Sequence, residues 1–241
     1  MRKTYLAFVL LVWASGMHSC KERPVEYGEG NLIISIEQGE AWLHDFPLFL
    51  GIKVKNSPQI AIWVEDMQGN YLSTVYVSHK IATQSWQMAK GNRRKEALPH
   101  WCHARGVVYE DGLYLPTKDK PFADGVSGAT PREGFDVRLN PASNLKQFVI
   151  KIEINHSTDF NDSYPKDAKE GDANYSDGKE GSGQPALIYR AEVDLSKDTK
   201  SFEASLIGHS SPDGSDGEIH TDMSGLTTAL DIVKRITINR K

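Results

Sequence analysis

Two short stretches of this chain hold side chains that could do chemistry. Residues 99–103 read Pro99-His100-Trp101-Cys102-His103, which sets an imidazole, a thiol and a second imidazole within four residues, the ligand types that copper and zinc take. A closed metal site needs about four ligands in suitable geometry. No second Cys/His cluster occurs in the sequence, so a buried Cys102 beside surface or capping histidines is the plainer reading. Residues 124–130 read Asp124-Gly125-Val126-Ser127-Gly128-Ala129-Thr130 and are followed by Pro131. Asp-Gly and Ser-Gly favour turns, and Pro131 disfavours a helical conformation at Thr130, so on the residues alone this is a loop between strands.

The same heptapeptide resembles the flavin attachment motif of the FMN-bearing subunits of sodium-pumping NADH:quinone reductase and of the ferredoxin-linked Rnf complex. That motif has the form Asp-x-x-Ser/Thr-Gly-Ala-Thr. The resemblance implies an FMN phosphate esterified to the hydroxyl of Thr130 by an FAD-dependent FMN transferase outside the cytoplasm. Gly128 and Ala129 would be the small residues before the acceptor, Ser127 the hydroxyl position and Asp124 the leading acid. Small neighbours leave room for a pyrophosphate phosphorus to approach the hydroxyl. A hydroxyl is a weak nucleophile, and the transferase would supply the base and metal that it needs.

A second resemblance covers residues 31–160. The stretch from Pro58 to Leu72 with its Trp63-Val64-Glu65-Asp66-Met67-Gln68-Gly69 core, the later Trp101, the Asp124 to Pro131 loop and the strand-like Phe148 to Asn155 are similar to a bacterial periplasmic family. It is known only as domain of unknown function 2271. The resemblance implies an extracytoplasmic β-sandwich, often encoded near flavin transferases and membrane-bound electron-transfer proteins. The chain departs from that pattern after Asn155.

If the region around residues 81–105 faces Thr130, Trp86 or Trp101 could stack on an isoalloxazine ring, and Arg93 or Arg94 could pair with the FMN phosphate. The competing reading makes the tryptophans core and the charges a solvated face. Asp213-Gly214-Ser215-Asp216-Gly217-Glu218 lacks the ligand spacing of a twelve-residue calcium loop and reads as a Gly-rich turn.

The elements that would position these residues are mostly strands. Runs of alternating or β-branched character span Leu32 to Glu37, Gln59 to Glu65, Tyr71 to Ser78, Gln147 to Asn155, Ala186 to Asp194, Ser201 to Gly208 and Ile232 to Asn239. Asp66-Met67-Gln68-Gly69-Asn70 joins two of them as a hairpin. The pattern predicts an all-β, antiparallel β-sandwich of immunoglobulin-like type occupying residues 31–241 as one domain. Two short helices are expected between Ile81 and Arg105, with a stop at Pro99, and a further helical turn at 225–232. Residues 156–185 carry seven acids and almost no aliphatic side chains, and read as a long solvated loop.

Arg2 and Lys3, the apolar run Tyr5 to Trp13 and the small or polar stretch before Cys20 read as a signal peptide over residues 1–19. The run is shorter than the about 20 residues of a transmembrane helix. Cys20 after Ser19 suits bacterial lipidation, although Met17 and His18 depart from the usual pattern, and residues 20–30 then form anchor and tether. Removing the signal moves the formal charge from −4 to −6. With no basic excess there is no sign of nucleic-acid binding. An acylated Cys20 leaves Cys102 as the sole thiol, so a packed core, not a disulfide, must stabilise the fold.

Three functions follow as expectations. The first is a periplasmic or cell-surface lipoprotein that carries electrons on FMN at Thr130, with the transferase and a membrane-bound electron-transfer protein as partners. The second is a flavin-free binding module. The third is a copper or zinc protein using His100, Cys102 and His103. No catalytic triad, P-loop or paired-carboxylate signature points to a stand-alone enzyme.

Overall fold

The computed structural model describes residues 24–47, 50, 52–86 and 93–241. The signal peptide and Cys20 lie outside the described residues. In chain order the strands are β1 (Val25–Tyr27), β2 (Leu32–Gln38), β3 (His44–Pro47), β4 (Lys53–Asn56), β5 (Gln59–Glu65), β6 (Tyr71–Ser78), β7 (Val126–Gly128), β8 (Phe135–Leu139), β9 (Gln147–Asn155), β10 (Leu187–Asp194), β11 (Ser201–Glu203), β12 (Ser205–His209) and β13 (Val233–Arg240). Helices α1 (His79–Thr83) and α2 (Pro99–Ala104) fall between β6 and β7.

Two sheets face each other. One has the order β1-β8-β2-β13-β11, the other β12-β10-β9-β5-β6-β7, and β3 with β4 forms a separate ribbon. Period-2 alternation turns Leu32, Ile34 and Ile36 of β2 inward against Ile60, Ile62 and Val64 of β5 and Phe148, Ile150 and Ile152 of β9. The expected all-β sandwich is the observed architecture.

β5 is buried along its whole length. Its second face, with Ala61 and Trp63, is covered by the insert between β6 and β7, where Ile81, Leu98, Trp101 and Phe122 make a second apolar cluster. The sandwich therefore carries a third layer, as a sheet with two apolar faces requires. The motif around Trp63 has a structural basis here. The Trp63 indole donates to Glu65 Oε1 at 2.7 Å, and Asp66 Oδ1 accepts from the backbone of Gln68 and Asn70 to close the hairpin at Gly69.

Several expectations are corrected. Pro99 opens α2 instead of stopping a helix, because at the first helical position its missing N–H is not needed. The run Ser201 to Gly208 is two strands in different sheets, broken at Ala204, whose N–H turns to Ile236 O at 3.0 Å. Structure begins before Asn31: β1 lies in the supposed tether and pairs in parallel with β8, with Arg138 gripping both carboxylate oxygens of Glu26 at 2.9 and 2.8 Å. The acidic stretch 156–185 is solvated only in part. Asp159, Ser176, Ser182 and Gln184 are buried, since the loop base must pair its backbone polar groups once covered. The helical turn expected near 225–232 is a 3-10 turn at Thr228–Asp231.

Candidate functional site

The loop that contains Thr130 is part of a sheet. Val126, Ser127 and Gly128 form β7, the edge strand paired in parallel with Tyr76, Val77 and Ser78 of β6. The bare reading as a connecting turn is thus corrected: the peptide groups of 126–128 find ladder partners that a turn would not use. Thr130 follows directly and stands half-buried at the end of that edge.

Three hydroxyls meet there. Ile60 N–H donates to Ser78 Oγ at 2.8 Å, and Ser78 Oγ lies 2.9 Å from Thr130 Oγ1. The Tyr76 phenol donates to Gly128 O at 3.1 Å. Burial raises the Tyr76 phenol well above its ordinary value, so it is a neutral donor. Neither Ser78 nor Tyr76 is a base for Thr130 at neutral pH, and any deprotonation of its hydroxyl must come from a reaction partner.

Gly128 has a reason inside the molecule as well. A Cβ there would meet the Tyr27 ring at 3.0 Å, and the Tyr27 hydroxyl donates to Ala129 O at 2.8 Å. The Tyr27 ring also packs tilted against Tyr76 and edge-on to Phe135, with centroids at 5.1 and 5.8 Å. The first described strand thus clamps the loop. Gly128→Val is expected to lower stability by about 1–3 kcal/mol through overpacking. Tyr27→Ala in the same chain should recover part of that loss, as a double-mutant cycle of urea denaturation would read.

Thr130 opens onto a cleft of about 440 Å³, within the range of small-molecule sites. Its walls include Lys55, Gln59, Ser78, Lys80 and Arg132, and among the described residues no carboxylate lines it. Lys55 is tied to Asp45 at 2.6 Å. Arg132 donates to Lys55 O at 3.1 Å, and among the described residues neither it nor Lys80 has a carboxylate partner. Burial and the charge of Arg94 lower the Lys80 pKa. Sequence reasoning passed over Gln59 in β5, Lys80 in α1 and Arg132 in the loop after β7.

The other candidates are placed as follows. Asp124 is exposed on the loop before β7, and Ser127 is exposed within β7. Trp86 is half-buried, follows the cleft residue Ser85, and stands with Lys80 Nζ and the Arg94 guanidinium 5.8 and 4.8 Å from its ring. Gln84, also passed over in the sequence, accepts from both the Trp86 indole and Arg94 N–H through one carboxamide oxygen. Trp101 cannot stack on a bound ring, because it is fully buried and donates to Thr74 Oγ1 at 2.9 Å. Arg94 is buried and committed to Glu96, Ser157 and Ser182, Arg93 pairs with Asp111, and neither arginine is among the residues that line the Thr130 cleft.

His100, Cys102 and His103 do not converge. His100 Nδ1 meets Gly217 O at 2.6 Å and its Nε2 accepts from Lys151 at 3.0 Å, while His103 Nδ1 meets Pro99 O at 2.8 Å. Burial pushes the Cys102 thiol up, away from the thiolate that a metal takes. Among the described residues no group of three or more His, Cys, Asp or Glu is arranged to hold a metal ion. No helix among them is long and apolar enough to cross a membrane.

No protein-family model matches this chain, and neither a curated protein nor a solved structure gives a match.

Proposed function

We propose that the protein is an exported, lipid-anchored electron carrier that bears FMN esterified to Thr130. The observation that carries this reading is Thr130 lining a cleft in which, among the described residues, Lys80 and Arg132 have no carboxylate partner and no carboxylate forms the wall. An anionic phosphate is favoured there and the acceptor hydroxyl lies beside it. The donor set therefore fits the phosphate end of a flavin. In the transfer, a bond forms between Thr130 Oγ1 and the FMN phosphorus of FAD, the pyrophosphate P–O bond breaks, and AMP leaves. The hydroxyl proton passes to a base of the transferase.

Once bound, FMN would supply one- and two-electron redox chemistry, and the chain would hold it and set its access to solvent. Ser78 fixes the Thr130 side chain by a hydrogen bond, and Tyr27 and Gly128 fix the backbone beneath it. A membrane-bound partner suits the anchor. Six residues lie between Cys20 and Tyr27, so at most about 25 Å of chain runs from a lipid on Cys20 to the residue that clamps the loop.

The test is mass spectrometry of the peptide spanning Asp119 to Arg132 from protein exported with and without an active transferase. An FMN adduct on Thr130 only when the transferase is present supports the reading. Unmodified peptide in both, with the transferase active on another substrate, ends it.

A flavin-free binding module is the second reading, favoured by a groove of about 600 Å³ between the sheet edges, walled by Val64, Leu72, Val75, Val126, Leu139 and Leu145. On that reading the protein is colourless under every expression condition.

A further inference from the structure

We propose that the cleft beside Thr130 is itself a binding site for a phosphorylated flavin, in which Lys80 and Arg132 take the phosphate and Gln59 a neutral donor of the ligand, so that the chain selects the nucleotide before any ester forms. The inference rests on the FMN reading above and assigns the recognition to this chain's own residues.

Charge is the first support. Lys80 and Arg132 wall one cleft without a carboxylate to neutralise them among the described residues. Arg94 and Lys80 both lie near the Trp86 ring, at 4.8 and 5.8 Å, though the Arg94 charge is met by Glu96 at 2.7 Å. Burial first and the Arg94 charge second lower the Lys80 pKa, and an anion between Lys80 and Arg132 would offset both by favouring the charged ammonium. Lys55 adds a third cation whose charge Asp45 already satisfies.

Gln59 is the second, independent support. It lies in the cleft wall, 9 % exposed, and its Oε1 is buried with no hydrogen-bond partner. A buried unmatched amide oxygen carries a desolvation cost that native structures rarely leave standing. A side-chain rotation toward a ligand N–H or hydroxyl would supply the missing partner, and a ribityl chain or flavin ring edge offers both. The neighbouring Ile60 N–H is already satisfied by Ser78, so the unmatched group is the Gln59 side chain and not the strand.

The experiment uses wild-type protein and Thr130→Ala, both made in a host without the transferase, titrated with FMN and with riboflavin while flavin fluorescence is followed. FMN is expected to bind about tenfold or more tightly than riboflavin, with inorganic phosphate competing and added salt weakening it. Lys80→Ala and Arg132→Ala should each weaken FMN by about fivefold or more and leave riboflavin unchanged. Gln59→Leu should weaken both flavins alike. Circular dichroism melts verify that each variant is folded. Equal affinity for FMN and riboflavin, or FMN affinity indifferent to both cation changes, overturns the proposal. The adduct on Thr130 is measured separately in protein made with the transferase. An adduct without non-covalent selectivity sinks only this inference, and selectivity without an adduct sinks only the ester.

Discussion

Thr130→Ala, exported beside an active FMN transferase, is expected to carry no covalent flavin, whereas Thr130→Ser should keep the adduct at reduced yield. The alanine lacks the only atom that could be esterified. The serine has the same oxygen, but it loses the β-branch that restricts the side chain to few rotamers and so holds the hydroxyl less firmly. Ser78→Ala should give an intermediate result. It removes the partner 2.9 Å from Thr130 Oγ1 while leaving the acceptor in place. Its cost to stability is about 1–3 kcal/mol, because the buried Ile60 N–H also loses its acceptor. Intact-mass and peptide spectra read all four proteins. Flavin on Thr130→Ala at another residue would move the attachment site, and no flavin on any of them would favour the binding module.

The second large effect concerns stability and lies far from the cleft. Glu153 is wholly buried in β9, and its two oxygens accept from His100 N–H at 3.1 Å and Trp101 N–H at 2.7 Å in the first turn of α2. It ties the inserted layer to the sheet. Burial raises its pKa to about 8 in spite of those bonds. The folded chain therefore keeps a proton that the unfolded chain releases above the ordinary value of 4.5. Stability from this group is full below that pH and is lost as pH rises to about 8.

His100 and His156 act with the opposite sign. Burial lowers both to about 4, so their contribution is present above 6.5 and is lost as pH falls toward 4. Between pH 6.5 and 8 only Glu153 of these three changes charge on unfolding. Wild-type unfolding free energy is thus expected to drop across that window by about 1–2 kcal/mol. Glu153→Gln cannot ionise and should show a much flatter profile, read by urea denaturation at pH 6.5 and at pH 8. Equal slopes in the two proteins would mean that Glu153 does not titrate there.

The sequence by itself determined much of the sheet framework. Gln59–Glu65, Tyr71–Ser78 and Gln147–Asn155 are legible as strands because side-chain alternation and flanking turn residues are local properties of a chain. Trp63 is legible as core for the same reason. β1, β7 and β8 were not legible. β1 and β7 are three-residue strands whose existence depends on a partner far along the chain, and Phe135–Leu139 of β8 carries Asp136 and Arg138 on its outer face.

The chemistry divides in the same way. Thr130 and its small neighbours stand together in sequence, so a motif could single them out. Gln59, Ser78 and Lys80 become neighbours of Thr130 only because β6 pairs with both β5 and β7, whereas Arg132 is two residues from it along the chain. The tertiary structure also decided which candidates are unavailable. Trp101 and Cys102 are withdrawn into the second core because β5 needs a cover on its outer face, and Arg94 is buried against Glu96, Ser157 and Ser182; burial of that kind depends on the packing of layers.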